Sequence, residues 1–245
     1  MKKQFLFIAV ISSIISISCS KEKTEAINAS EQSPAISVKP IFLPDPLTIG
    51  LSARYEFNNT LKDTTKQLSD AISTVNRVIF TTDRKGIANR AVRFNEAYGL
   101  NISSVPIDTA TSVSVWVKTE MFPTNFFISM LEGAQSICFS QLEKDFQAAT
   151  HNGLSGQYVA SPPMDNNWHH LAATFDKTSL KYYIDGNYVG SSPTPAGWTP
   201  PVPTTDYFVG YGYNLGYKYW KGSMDDLRFY KRILSAAEIN KLAHL

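Results

Sequence analysis

Asp185-Gly186 stands between Leu180-Lys181-Tyr182-Tyr183-Ile184 and Tyr188-Val189, and glycine's ready access to positive φ makes that pair a tight turn between antiparallel strands. A chain committed to such a hairpin must bury one face of each strand against a second layer. The rest of the sequence has the same character. Thr111 to Lys118 alternates strictly, with Val113, Val115 and Val117 on one side and Ser112, Ser114 and Trp116 on the other. Further short strands are expected at Ala53 to Phe57, Val92 to Phe94, Leu100 to Ile102, Phe126 to Met130, Ser136 to Ser140, Leu171 to Phe175, Phe208 to Gly210 and Leu227 to Tyr230. The stretch from Gln141 to Gln157 reads as polar loop, and the proline-rich run from Pro193 to Pro203 fits no central strand. No long amphipathic helix is present. Ser235 followed three places later by Glu238 is a capping box, which opens a short helix with Ile239 and Leu242 on one face. The expected class is all-β, a sandwich or barrel in one large domain.

The N-terminus carries a different signal. Lys2 and Lys3 precede an apolar run from Phe5 to Ile17 that stops at Ser18-Cys19, the pattern of an export signal that is too short for a spanning helix. Residues 1–18 are read as a lipoprotein signal peptide and Cys19 as the acylated first residue of the mature chain. Residues 19–49, rich in Lys, Glu, Ser and Pro, form a tether with too little apolar area to order itself. The domain then spans 50–245. Removing residues 1–18 takes two of the 23 basic residues and none of the 21 acidic ones, leaving 21 against 21. A neutral mature chain gives no electrostatic case for nucleic acid or for an anionic bilayer, so membrane attachment rests on the lipid anchor alone. The expected location is the cell envelope at the outer membrane. Cys138, in Ile137-Cys138-Phe139, is read as a small buried hydrophobe.

The ligand-binding signal is aromatic. Tyr207, Phe208, Tyr211, Tyr213, Tyr217, Tyr219 and Trp220 crowd a stretch punctuated by Gly210, Gly212 and Gly216, and Trp198 precedes it in the proline-rich run. Phe208 and Trp220 are assigned to the core. Trp198, Tyr211, Tyr213 and Tyr217 are expected at the surface, where flat rings with hydroxyls stack on sugars or anchor peptides. His169 and His170 are adjacent, and consecutive strand residues point to opposite faces. They are therefore expected to make cross-strand hydrogen bonds around Trp168 and to hold no zinc.

Five segments in order, Thr82-Asp83-Arg84-Lys85-Gly86 before Ala91-Val92-Arg93-Phe94, Val113 to Lys118, Asn167-Trp168-His169-His170, Tyr183-Ile184-Asp185-Gly186, and Gly222-Ser223-Met224-Asp225-Asp226 before Leu234-Ser235, resemble the motifs of the laminin-G-like domain 3 class of concanavalin A-like lectin-glucanases. The resemblance covers Leu51 to Leu242. It implies a jelly-roll sandwich of two antiparallel sheets with ligand sites on a face or on rim loops, and no enzyme. Related jelly-roll hydrolases carry carboxylates in a Glu-x-Asp-x-x-Glu pattern on one strand, which this chain lacks. It also points to one structural calcium ion near the loop after the first strand and the Gly222 to Asp226 segment, with Asn58, Asp63 and Asp225 as ligands. The expected function is non-catalytic binding of a polysaccharide, glycoprotein glycan or other cell-surface component. The alternatives are an assembly module contacting a partner protein and, more remotely, a degenerate glycosidase.

Overall fold

The computed structural model describes residues 44–121, 128–133, 136–150, 157–194, 204–212 and 218–245. The export signal, Cys19 and most of the tether lie outside these residues. In chain order the strands are β1 (Leu51–Tyr55), β2 (Ile72–Ser73), β3 (Phe80–Thr81), β4 (Ala91–Asn95), β5 (Leu100–Pro106), β6 (Thr111–Thr119), β7 (Ile128–Gly133), β8 (Ile137–Leu142) and β9 (Asp145–Thr150). They continue with β10 (Gln157–Pro163), β11 (His169–Phe175), β12 (Ser179–Ile184), β13 (Asn187–Pro193), β14 (Thr204–Val209), β15 (Tyr211–Gly212), β16 (Lys218–Tyr219) and β17 (Lys221–Tyr230), and helix α1 (Ala236–Leu242) follows.

An eight-stranded antiparallel sheet runs β13-β12-β11-β6-β17-β4-β3, with β1 also paired to β17, and a seven-stranded sheet runs β10-β9-β8-β7-β14-β5-β2. Val113, Val115, Val117, Leu171, Phe229 and Tyr182 of the first sheet meet Ile102, Met130, Phe139, Phe146, Tyr207 and Val209 of the second in one buried core. This is the two-sheet jelly-roll that the strand pattern and the resemblance imply. The hairpin at Asp185-Gly186 forms as expected, with φ of 50° and 79° at its two turn residues. Ser235 caps α1, its hydroxyl accepting from the Glu238 N–H while the Glu238 carboxylate accepts from the Ser235 N–H at 2.8 Å.

Several elements depart from the sequence reading. Asp145–Thr150, where polar composition suggested loop, is a strand, and it pairs with Gln157–Pro163. Phe146 and Ala148 point into the core between outward Gln147 and Ala149, so a two-residue alternation hides beneath the Gln and Gly content. Residues 44–49 belong to the domain and not to the tether. Leu47 is buried with Tyr230, Leu234, Ile239 and Leu242 beneath α1, and its carbonyl accepts from the Tyr230 hydroxyl at 3.1 Å. Arg232 donates to the carbonyls of Ile49 at 2.6 Å and Pro46 at 2.8 Å. Three carbonyls of an otherwise featureless segment are thereby satisfied by the far end of the chain. Leu47→Ala is expected to destabilise the domain by about 2–5 kcal/mol, the usual cost of emptying a buried leucine site; urea unfolding at neutral pH measures it, and an unchanged midpoint would return these residues to the tether.

Candidate functional site

The outer face of the seven-stranded sheet is set by register. Ile72 pairs with Asn101, Asn101 with Phe208, and Phe208 with Glu132, so these four side chains form a row across β2, β5, β14 and β7. Tyr207 and Val209 on either side of Phe208 enter the core, which is why Phe208 faces outward and is half-buried. The expectation of a core Phe208 is thus corrected by the strand's own alternation. Trp220, fully buried, is in the core as expected.

The β15 and β16 ribbon lies over this row. Tyr211 stacks on Tyr219 at 5.4 Å with planes 24° apart and meets Phe208 edge-on at 5.4 Å. Its hydroxyl donates to the Asn101 side-chain carbonyl oxygen. Tyr211 is only 4 % exposed, against the expectation that it stands free at the surface. The reason is Gly99: a Cβ there would stand 2.1 Å from Cδ1 of Tyr211, so the ring lies flat on backbone that only glycine leaves bare. Gly212 likewise rests on Ser129 and Glu132, and Ser129 donates to the Glu132 carboxylate at 3.0 Å. Trp198, Tyr213 and Tyr217 lie outside the described residues. Among the described residues, the accessible part of this row and its ribbon consists of Ile72, 63 % exposed, and the half-buried Asn101, Phe208 and Tyr219.

The outer face of the eight-stranded sheet carries charge. His170, Trp116 and Asp225 are register partners across β11, β6 and β17. The loop after β3 closes over them, pinned by the Asp83 carboxylate, which accepts from the N–H groups of Lys85 at 2.9 Å and Ile87 at 2.7 Å. The Arg84 guanidinium from this loop sits 5.1 Å above the Trp116 ring and bonds the Asp225 carboxylate. Asp226 accepts from Arg54 at 2.8 Å and from Arg228 at 2.7 and 3.0 Å. The bidentate partner of Arg228 is therefore Asp226. His170 accepts or donates at Ser114 Oγ, 2.8 Å away, the cross-strand bond expected of it. His169 instead bonds Asp165 at 3.0 Å and Asp185 at 2.8 Å.

Burial sets the ionisation of this cluster. It pushes Asp225 up to about 6, the nearby Arg84 charge only partly offsetting it. Burial acts on Asp226 in the same sense, yet the Arg228 hydrogen bond and charge, with those of Arg54, win and hold it at about 2. His170 is driven down to about 4 by burial.

The three groups expected to hold calcium do not fit a cation cage. Asn58 and Asp225 line a common cleft of about 200 Å³ with Arg84, Arg54, Lys85 and Arg90, and Asp63 is not among its walls. Asn58 donates to Glu56 at 2.9 Å. Asp63 accepts from the N–H groups of Arg54, Thr65, Gln67 and Leu68 at 2.9 to 3.0 Å. Burial raises its carboxyl, but those donors outweigh it and leave the group below the ordinary range. Asp63 ties down the loop after β1, and Arg84 brings the positive charge to Asp225. Among the described residues no group of three or more His, Cys, Asp or Glu side chains is placed to hold a metal ion.

A protein-family model described as the concanavalin A-like lectin/glucanases superfamily, laminin-G-like domain 3, matches residues 94–240. The chain belongs to this family. No curated protein matches it in sequence. Among solved structures, this laminin-G-like domain is similar to domain 4 of AbnA, a GH43 extracellular arabinanase from Geobacillus stearothermophilus, solved with arabinotriose; identity is 22 %, with 79 % of this chain and 98 % of that chain covered at a TM-score of 0.62. It is also similar to the receptor-binding domain of botulinum neurotoxin D, at 14 % identity, 80 % and 52 % coverage and a TM-score of 0.62. The binding domain of Paraclostridial Mosquitocidal Protein 1 gives 14 % identity, 80 % and 52 % coverage and 0.65. The chain spans about half the length of these two toxin domains. At such identities the likeness is one of fold.

The charged cluster predicts a pH response. Asp226 ionises at about 2 when folded against an ordinary 3.8, so its contribution is complete above that ordinary value and is lost as pH falls through about 2. His170 resists protonation down to about 4 against an ordinary 6.5, so stability also falls as pH drops across that interval. Asp225 acts oppositely, its burial cost being relieved as pH falls below about 6. Asp226→Asn is expected to cost about 3–5 kcal/mol at pH 7 by stripping the buried Arg228 guanidinium of its partner, and to remove the steepest acid limb below pH 4. His170→Asn should flatten the interval between 6.5 and 4. Urea midpoints across pH measure both, and an unaltered acid limb in Asp226→Asn would show that the cluster does not govern acid stability.

Proposed function

We propose that this laminin-G-like domain is an exported lipoprotein, anchored at the outer membrane through Cys19, that binds a glycan or another cell-surface component without catalysis. The carrying observation is the row of Ile72, Asn101 and Phe208 on the outer face of the seven-stranded sheet, flanked by the Tyr211 and Tyr219 stack. Apolar and aromatic surface beside an amide held at fixed register is the chemistry that packs on a sugar ring while satisfying its hydroxyls. Trp198, Tyr213 and Tyr217 are proposed to extend this surface, with Tyr211 orienting Asn101 through its hydroxyl. The arabinanase domain was solved with arabinotriose, and the neurotoxin D domain is a receptor-binding domain; both support a binding role on this fold. Asp226 is engaged by guanidiniums and Asp63 by backbone donors. Arg84 meets Asp225 directly, so binding is proposed to proceed without calcium.

Glycan-array binding of the full chain, with and without a calcium chelator, tests this reading. Selective binding that is at least tenfold weaker in Phe208→Ala and in a Trp198→Ala/Tyr213→Ala double variant, and equal with and without chelator, is expected; a folded protein silent across the array would favour a protein partner. Cys19→Ser should move the protein from the membrane fraction to the soluble fraction of cells, and unchanged membrane retention would remove the lipid anchor from the proposal.

A further inference from the structure

A cleft opens at the edge of the eight-stranded sheet, where the chain entering β3 meets the end of β4. Residues directly opposite in an antiparallel pair would exchange two backbone bonds, and Ile79 and Arg93 make only one of them, the Arg93 N–H donating to the Ile79 carbonyl at 2.8 Å. The Tyr98 hydroxyl takes the place of the other. It accepts from the Ile79 N–H at 3.0 Å and donates to the Arg93 carbonyl at 2.5 Å. Ladder pairing of β3 with β4 accordingly begins only at Phe80 and Val92. On the other side of Ile79 lies a cleft of about 440 Å³, lined by Val75, Arg77 and Ile79 from one chain segment and by Asn95, Ala97 and Tyr98 from the other. That volume is within the range of about 300–1,000 Å³ typical of small-ligand sites.

Three kinds of surface meet in this lining. Val75, 41 % exposed, and the half-buried Ile79 stand with Ala97 as apolar wall. Arg77 is exposed, has no ion pair, and is the only charged residue of the lining among those described. Glu96, between Asn95 and Ala97, is absent from it, and the Glu120 carboxylate on the same sheet is held by Arg93 at 2.6 and 2.7 Å, so the guanidinium of Arg77 meets no acid. The third group is the amide of Asn95. Its Oδ1 is buried and meets no donor, a costly state for an acceptor, and a ligand N–H in the cleft would satisfy it.

We infer that this edge cleft is a second saccharide site, taking an acidic sugar that also carries an N-acyl group. The carboxylate pairs with the planar guanidinium of Arg77, the acyl amide N–H donates to Asn95 Oδ1, and the acyl methyl packs on Val75, Ile79 and Ala97. A peptide carboxyl terminus offers the same carboxylate and amide, so the choice of a sugar rests on the glycan-binding reading, though not on the Phe208 row. Saturation-transfer NMR on the full chain tests the inference. N-acetylneuraminic acid and N-acetylmuramic acid carry both groups, one with its carboxylate on the ring and the other on an ether arm; N-acetylglucosamine carries only the acyl group, glucuronic acid only the acid, and N-acetylleucine stands for a peptide terminus. At least one of the first two should receive saturation, most strongly at its acetyl methyl, with the other three probes at least about fivefold weaker. Arg77→Ala and Asn95→Ala should each lower that signal by about fivefold or more, the effect of one lost hydrogen-bonding partner, while Phe208→Ala leaves it unchanged. Neither side chain makes a hydrogen bond within the fold, so both variants should keep the urea midpoint of the parent; should Asn95→Ala lower it, the exposed Arg77→Ala decides alone. Silence from both doubly substituted sugars, an equal response to N-acetylglucosamine or glucuronic acid, or insensitivity to Arg77→Ala would overturn the inference, and a stronger response to N-acetylleucine would replace the sugar by a peptide. Signal lost only in Phe208→Ala would sink the edge cleft and leave the first site standing; Arg77-dependent signal from a protein whose array binding ignores Phe208 would do the reverse.

Discussion

Strand β17 is bordered by β6 along one side and by β4 and β1, end to end, along the other. The first strand of the domain therefore depends on the last. Within β17 the register shifts between Asp225 and Arg228, and Asp226 has a φ of 49°. One extra residue here reverses the two-residue alternation, so that Met224 before the bulge and Leu227 and Phe229 after it all reach the core. Without it, one end of the strand would present its apolar side chains to the outer face.

The same bulge explains the charge cluster. It brings Asp225 and Asp226 to the outer face in succession, and two adjacent buried carboxylates need cations. Arg228 comes from β17 itself, Arg54 from β1 and Arg84 from the loop after β3. The network thereby fastens both chain ends and a distant loop to one bulge. It also explains why the cleft beside it, though rich in acids, does not suit a metal ion: a guanidinium stacked on Trp116 already reaches the carboxylates.

The Phe208 row and the Asp185-Gly186 turn differ in how they are built. The Phe208 row arises from strand register, with a ribbon of tyrosines laid over it and Gly99 making room. The Asp185-Gly186 turn is held by side chains instead, the Asp185 carboxylate meeting the His169 ring and the His170 N–H. His169 and His170 thus position a carboxylate and a strand, one from each side of the sheet.

Much of this was legible in the residues alone. Alternation in Val113 to Val117, the Asp185-Gly186 turn and the Ser235 capping box are local signals, since backbone sterics and short-range hydrogen bonds act within a few residues. They determined the strand-rich class, the hairpin and the final helix. What local signals do not carry is long-range pairing. That Tyr211 is buried depends on Gly99, which lies more than a hundred positions earlier; that Asp225 meets Arg84 depends on a loop on the far side of β4. The β9 strand was hidden because polar composition masked alternating core contacts at Phe146 and Ala148. Sequence determined which segments are strands and where they turn, because those forces are local. Tertiary structure alone decided which aromatic rings are exposed and which carboxylates are neutralised, because both depend on neighbours that only the closed sandwich brings into contact.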